Sequence, residues 1–282
     1  MISGRTRIYG LVGHPVRHSL SPAMHNALFG KLSLDAVYLA FDVDPRRAEG
    51  VTDAIRTLDL VGVNLTVPFK ERVLPHLDHV TIAAQEAGAV NVVINVDGWL
   101  TGYNTDGEGL LGALAEEHGF NAKAQRCVVL GAGGAGRAVA SALAAAGAQA
   151  VTLLNRDVAR AERAAAQLGE RHPGCSLHGA PLHPGWFGEN AEGADLVVNC
   201  LGGGTEALVE SLPIAPLPSS AIWCDINYWM SAPPRLSACA ARGLRTSSGL
   251  GMLVHQGALS FELFTGYPIA ASELRDTLEA RR

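Results

Sequence analysis

Apolar positions along the chain switch repeatedly between strand-like and helix-like spacing. Residues 7–12 (RIYGLV) form a short apolar run of strand length, 22–31 carry helical spacing, 36–42 read as a strand and 46–58 as a helix. Another strand is predicted over 61–67, followed by a helix that Pro68 opens, because proline at the first helical position lacks only an N–H that would have no partner. The runs 90–95 and 99–103 flank Val96-Asp97-Gly98, whose Asp-Gly step signals a hairpin. Residues 107–118 are helical in pattern, and the loop at 119–125 reads as a hinge. Cys127-Val128-Val129-Leu130 is apolar without interruption, as in a strand covered on both faces of a parallel sheet. A helix over 137–146, a strand over 151–154, a helix over 158–169 and strands over 196–200 and 221–226 continue the series. This alternation predicts a doubly wound α/β sheet with right-handed crossovers. A long apolar helix over 249–263 and a short one over 272–279 end the sequence.

Composition narrows the function classes. The chain has 282 residues, 48% hydrophobic and 17% charged, which suits two ordinary packed domains rather than disorder. With 22 basic and 27 acidic side chains the formal net charge is −5, so no broad positive field draws nucleic acid or an anionic membrane. Residues 1–11 hold no apolar run of signal-sequence length, and no stretch approaches membrane-spanning length. The five cysteines (127, 175, 200, 224 and 239) form no CxxC pair. Reduced thiols, a cytoplasmic location and no metal are therefore expected.

Two groups of polar motifs carry the candidate chemistry. Gly131-Ala132-Gly133-Gly134-Ala135-Gly136 lies between the 127–130 strand and a helix, the setting in which a GxGxxG loop cradles pyrophosphate on a helix N-terminus. An NAD site places an acidic residue about 20 positions beyond the first glycine. Here Asn155-Arg156-Asp157 occupies the end of the second strand, with Arg160 one turn further on. Arg156 and Arg160 can clamp a 2′-phosphate, which favours NADP, while Asp157 reads as the N-cap of the 158–169 helix.

Upstream stand His18-Ser19-Leu20-Ser21-Pro22, Asn64-Leu65-Thr66-Val67-Pro68-Phe69-Lys70 and Asn104-Thr105-Asp106-Gly107. In an extended segment Ser19 and Ser21 point the same way and make a small carboxylate site beside a helix N-terminus, although Ser21 before Pro22 is also a natural N-cap. Lys70 in the first turn of a helix opposes the macrodipole, which is expected to lower its pKa as proton transfer near neutrality prefers. Asp106 is its candidate partner, with the alternative role of capping the 107–118 helix.

With these motifs, together with His25-Asn26, Ala89-Val90-Asn91, Gly249-Leu250-Gly251-Met252-Leu253 and Gln256, the chain resembles the shikimate dehydrogenase family over nearly its full length. The resemblance implies a substrate-binding and catalytic α/β domain over 1–106, a Rossmann NADP-binding domain over 107–248, and C-terminal helices over 249–282 that return to the substrate domain. It implies reversible NADP-dependent reduction of 3-dehydroshikimate to shikimate, a step of aromatic amino acid (chorismate) biosynthesis. Lys70 and Asp106 would be the acid–base pair, and Ser19 and Ser21 would hold the carboxylate. Asn64, Thr66, Asn91, Tyr228 and Gln256 would line the ring site. Gly131 to Gly136, Asn155, Arg156 and Arg160 would hold the nucleotide, with Gly249 and Met252 at the nicotinamide. Monomer and homodimer are both compatible with the sequence.

The sequence departs from the family pattern at several points. Asp157 stands where threonine is common, Cys200-Leu201 replaces Ala-Thr ahead of Gly202-Gly203-Gly204, Ser248 replaces an aspartate, and Trp229 is an added bulky residue. The alternative is a quinate- or aminoshikimate-type enzyme using NAD; quinate's extra ring hydroxyl makes the surroundings of Ser19 decisive. A nucleotide-binding regulator without turnover is disfavoured by the retention of both Lys70 and Asp106.

Overall fold

The computed structural model describes residues 2–228 and 233–279, so Trp229 lies outside the described residues. Two compact units emerge: Met1–Thr105 with Val254–Arg282, and Asp106–Leu253.

In the first unit the elements run β1 (Arg7–Gly13), α1 (Ser21–Lys31), β2 (Ala36–Asp42), α2 (Val51–Thr57), β3 (Gly62–Leu65), α3 (Phe69–Arg72), β4 (His79–Val80), α4 (Ile82–Ala87), β5 (Val92–Val96) and β6 (Trp99–Tyr103). They form one six-stranded sheet in the order β2-β1-β3-β5-β6-β4. The first three strands are parallel, whereas β5 runs antiparallel to both β3 and β6. The β5–β6 turn places Asp97 at φ 51° and Gly98 at φ 84°, the two left-handed residues a tight hairpin requires. Val63, Val93, Phe69 and Leu100 are fully buried in its core.

The second unit runs α5 (Asp106–His118), β7 (Arg126–Leu130), α6 (Gly134–Ala145), β8 (Ala150–Asn155), α7 (Val158–Arg171), β9 (Ser176–Pro181), α8 (Pro184–Ala191), β10 (Leu196–Asn199), α9 (Glu206–Ser211), β11 (Ile222–Asp225), α10 (Pro234–Ala241) and β12 (Arg245–Ser248). All six strands are parallel, in the order β12-β11-β10-β7-β8-β9. This is the 3-2-1-4-5-6 order of dinucleotide-binding sheets, with the order reversing between β7 and β10, where ligands bind at strand C-termini. Separate apolar clusters form around Val129 and Leu153 and around Val128 and Trp223, residues that alternate along the strands.

Two helices complete the chain, α11 (Gly249–Thr265) and α12 (Ala271–Glu279). From Val254 onward they belong to the first unit. There Tyr9 Oη donates to the Phe264 carbonyl at 3.1 Å, Tyr9 packs between Phe29 and Phe264, and Lys31 pairs with Glu273 at 2.7 Å. No helix among the described residues is long and apolar enough to cross a membrane.

Four expectations change. The 119–125 loop lies inside the second unit: Phe120 and Ala122 pack in the same core as Leu110 and Leu114 of α5, so this loop turns the chain within one core, and the chain changes unit at Thr105–Asp106 and Leu253–Val254. The 46–58 helix is a 3₁₀ turn over Pro45–Gly50 followed by α2, because Arg47 (φ −101°, ψ 18°) breaks the helical run. Pro68 sits at the N-cap of α3 rather than inside it, and α3 is only four residues long. So short a turn aligns too few peptide dipoles to oppose a cation at Lys70. The edge strands β4, β9 and β12 have no apolar pattern to announce them; β9 reads Ser-Leu-His-Gly-Ala-Pro.

Candidate functional site

In the first unit a hydrogen-bonded frame joins residues from five separate stretches of sequence. Asn64, which ends β3 with Leu65, accepts from Tyr38 Oη at 2.8 Å and donates Nδ2 to Ser260 Oγ at 3.0 Å and to the Asn91 carbonyl at 3.2 Å. Ser260 Oγ in turn donates to the Gln256 carbonyl one turn earlier on α11, at 2.8 Å. Asn91 accepts from the Thr105 N–H and donates to Thr105 Oγ1, both at 2.9 Å. Asn64 and Asn91 are 7% and 2% exposed, so burial enforces these bonds. The side chain of Asn64 is thereby engaged with protein groups through both its oxygen and its nitrogen.

The frame fixes the segments that carry Lys70 and Thr66. The Lys70 carbonyl accepts from the Val90 N–H at 2.8 Å, and Asn104 Nδ2 donates to the Ala89 carbonyl at 2.8 Å. Thr66 is held through its N–H to the Val12 carbonyl at 2.9 Å. Asp106 follows Thr105 directly, opens α5 and is 3% exposed.

Ser19 and Ser21 do not lie in an extended segment. The Ser19 N–H closes a turn onto the Val16 carbonyl at 3.0 Å, Leu20 is helical, and Ser21 is the first residue of α1. Ser21 is therefore not the N-cap: Leu20 holds that position, and Ser19 Oγ accepts the Ser21 N–H at 3.2 Å. The two serines still flank the start of α1, by turn geometry rather than by strand alternation.

His25 is a buried titratable group of this unit. It is 1% exposed, stacks on Tyr38 with ring centroids 4.4 Å apart, and its Nδ1 has no hydrogen-bond partner. Burial pushes its pKa down to about 3, which keeps the ring neutral.

In the second unit the residues of the glycine loop fit a dinucleotide. Gly131 has φ +103°, and a Cβ on Gly136 would lie 1.9 Å from the Gly131 carbonyl oxygen, so neither position accepts a side chain. Gly133 caps α6, with Gly134 and Ala135 half-buried in its first turn, the arrangement that receives pyrophosphate. Asn155 Oδ1 accepts the Ala132 N–H at 3.3 Å, and Arg160 Nε donates to the Ala132 carbonyl at 2.9 Å. Arg160 thus braces the loop with its Nε, a different use from the shared phosphate clamp expected of it. Arg156 is exposed at the end of β8. Asp157 is the N-cap of α7, accepting the Arg160 N–H at 3.1 Å.

At the C-terminal ends of β10 and β11 a hydrogen-bonded network went unrecognised in the sequence. Asn199 Nδ2 donates to Asp225 Oδ2 at 2.9 Å, and Asp225 Oδ1 accepts the Asn227 N–H at 3.0 Å and its Nδ2 at 2.8 Å. Asn227 Nδ2 also donates to the Leu201 carbonyl at 3.0 Å, which ties the loop after β10 to the segment that carries Tyr228. The available signal was a polar residue ending each of two apolar strands. Gly249 and Met252 lie buried in the first turn of α11. The five cysteines form no disulfide; burial pushes the Cys224 thiol up to about 12.

Three family descriptions match the chain: the shikimate dehydrogenase substrate binding domain over 11–93, shikimate/quinate 5-dehydrogenase over 113–179, and the shikimate 5′-dehydrogenase C-terminal domain over 249–279. The shikimate dehydrogenase (NADP(+)) of Alkaliphilus metalliredigens is 41% identical, covering 94% of this chain and 93% of that protein. The crystal structure of shikimate 5-dehydrogenase from Thermus thermophilus with NADP(H) and shikimate is 39% identical with a TM-score of 0.82, covering 98% of this chain and 100% of that one. Quinate dehydrogenase from Corynebacterium glutamicum in complex with NAD is 30% identical with a TM-score of 0.83, covering 98% of this chain and 99% of that one.

Proposed function

The chain belongs to the shikimate dehydrogenase family, and from that premise we propose that it is an NADP-dependent oxidoreductase interconverting 3-dehydroshikimate and shikimate. The observation that carries this reading is the closed frame of Tyr38, Asn64, Ser260, Asn91 and Thr105, which holds uncharged polar groups rigid, as selection among ring hydroxyls requires. Ser19 and Ser21 bind the substrate carboxylate at the start of α1. Thr66, Asn91, Tyr228 and Gln256 line the ring site, and Asn64 keeps that lining in register. The loop from Gly131 to Gly136 would hold the pyrophosphate, with Asn155 and Arg160 bracing it. Arg156 would hold the 2′-phosphate, and Gly249 and Met252 the nicotinamide end. NADP, when bound, supplies or accepts the hydride.

Lys70 and Asp106 act as the acid–base pair. In the reducing direction Lys70 Nζ donates a proton to the forming alkoxide, and in the oxidising direction its neutral amine takes the hydroxyl proton. The Asp106 carboxylate orients that hydroxyl and supports the ammonium charge. The NAD alternative needs a carboxylate free for the ribose hydroxyls, and the engagement of Asp157 as a helix cap supports NADP instead.

The test is a steady-state comparison of shikimate and quinate oxidation, each with NADP and NAD. Efficient turnover confined to shikimate with NADP is expected. Preference for NAD, or comparable rates with quinate, would move the protein to the quinate-type reading.

A further inference from the structure

Glu117, the next-to-last residue of α5, directs its carboxylate at the first turn of α11. Its Oε2 accepts from Ser247 Oγ at 2.5 Å, and Ser247 is 3% exposed on β12. Its Oε1 lies so near Gly251 that a Cβ there would come within 2.2 Å of it. On the other side, a Cβ on Gly249 would fall 2.0 Å from the Ile226 carbonyl oxygen. The first turn of α11 is therefore wedged between the Ile226 backbone and a carboxylate, at the helix end where negative charge is favoured. His118 Nε2 stands 4.0 Å from the same Oε2.

We propose that Glu117 is a positioning residue for the cofactor: through Ser247 and the glycine face of α11 it fixes Gly249 and Met252, and so orders the nicotinamide end of the site and not the adenosine end. This rests on the reading that Gly249 and Met252 seat the nicotinamide. Glu117 lies outside every motif that marks the family, at the end of a helix whose other end carries Asp106, and only the fold brings it to α11.

The experiment is calorimetric titration of the full-length protein and its Glu117→Gln variant with NADP and with adenosine 2′,5′-bisphosphate, which keeps the phosphate-bearing adenosine and lacks the nicotinamide. The variant is expected to bind NADP about tenfold more weakly, as for loss of a charge-assisted hydrogen bond, with bisphosphate affinity unchanged. Ser247→Ala should act in the same direction, and the double variant should be no worse than Glu117→Gln alone. Hydrogen exchange at residues 249–253 should speed up in the cofactor-free variant. Equal losses for both ligands, the mark of general damage, would overturn the proposal, and so would unchanged NADP binding. Wild-type protein that bound neither ligand would instead sink the cofactor reading itself, and this inference with it.

Discussion

At Lys70 the backbone and the side chain do separable work. Its carbonyl is tied to Val90, so removing the side chain leaves the local fold standing. Lys70→Ala is accordingly expected to lower kcat by roughly 10²–10⁴-fold with a much smaller change in KM, measured by steady-state kinetics on protein shown to be folded. An unchanged kcat would remove Lys70 from the chemistry. His25 makes a prediction of a different kind. Its pKa falls from 6.5 to about 3 on folding, so between those values the unfolded chain binds a proton that the native ring refuses. Its contribution to stability is complete above about pH 6.5 and declines as pH drops through that window, by roughly 1.4 kcal/mol per pH unit. Denaturant unfolding at pH 7, 6 and 5 should show a shallower loss in His25→Phe than in the native protein; parallel slopes would contradict the burial argument.

Among the elements, α7 divides its first turn between a structural carboxylate and a cationic end. Asp157→Ala removes the cap on the Arg160 N–H and should cost about 1 kcal/mol in unfolding free energy. Arg156→Ala should leave stability alone and weaken NADP far more than NAD, and equal losses for the two cofactors would refute its role at the 2′-phosphate. These features were legible because cap, glycine loop and strand lie within one short run of sequence, as do Asp97 and Gly98 in the hairpin. The edge strands β9 and β12 were not, because a half-exposed edge needs no apolar pattern and is defined by its neighbours. The Tyr38–Asn64–Ser260 frame was invisible for a related reason: its members are 26 and 196 residues apart, and only the sheet and α11 bring them together. Ser19 and Ser21 flank the start of α1, but strand alternation does not place them there, because a turn and not an extended run precedes the helix.

The whole molecule is one continuous unit inserted into a discontinuous one. Met1–Thr105 packs with Val254–Arg282, and the buried Tyr9, Phe29 and Asn64 find their partners on α11. Ending the chain at Leu253 should leave the Asp106–Leu253 core protected in hydrogen exchange while strands β1 and β3 lose protection; retained protection there would show that the N-terminal segment folds alone. The same arrangement sets a timetable at the ribosome. The N-terminal segment emerges first, yet the last helices arrive only after the entire nucleotide-binding unit has been synthesised, an interval on the order of ten seconds. Until then its aromatic face is bare on a nascent chain, and chaperone engagement of this protein is expected to concentrate on that segment rather than on the unit that can close as soon as it is made.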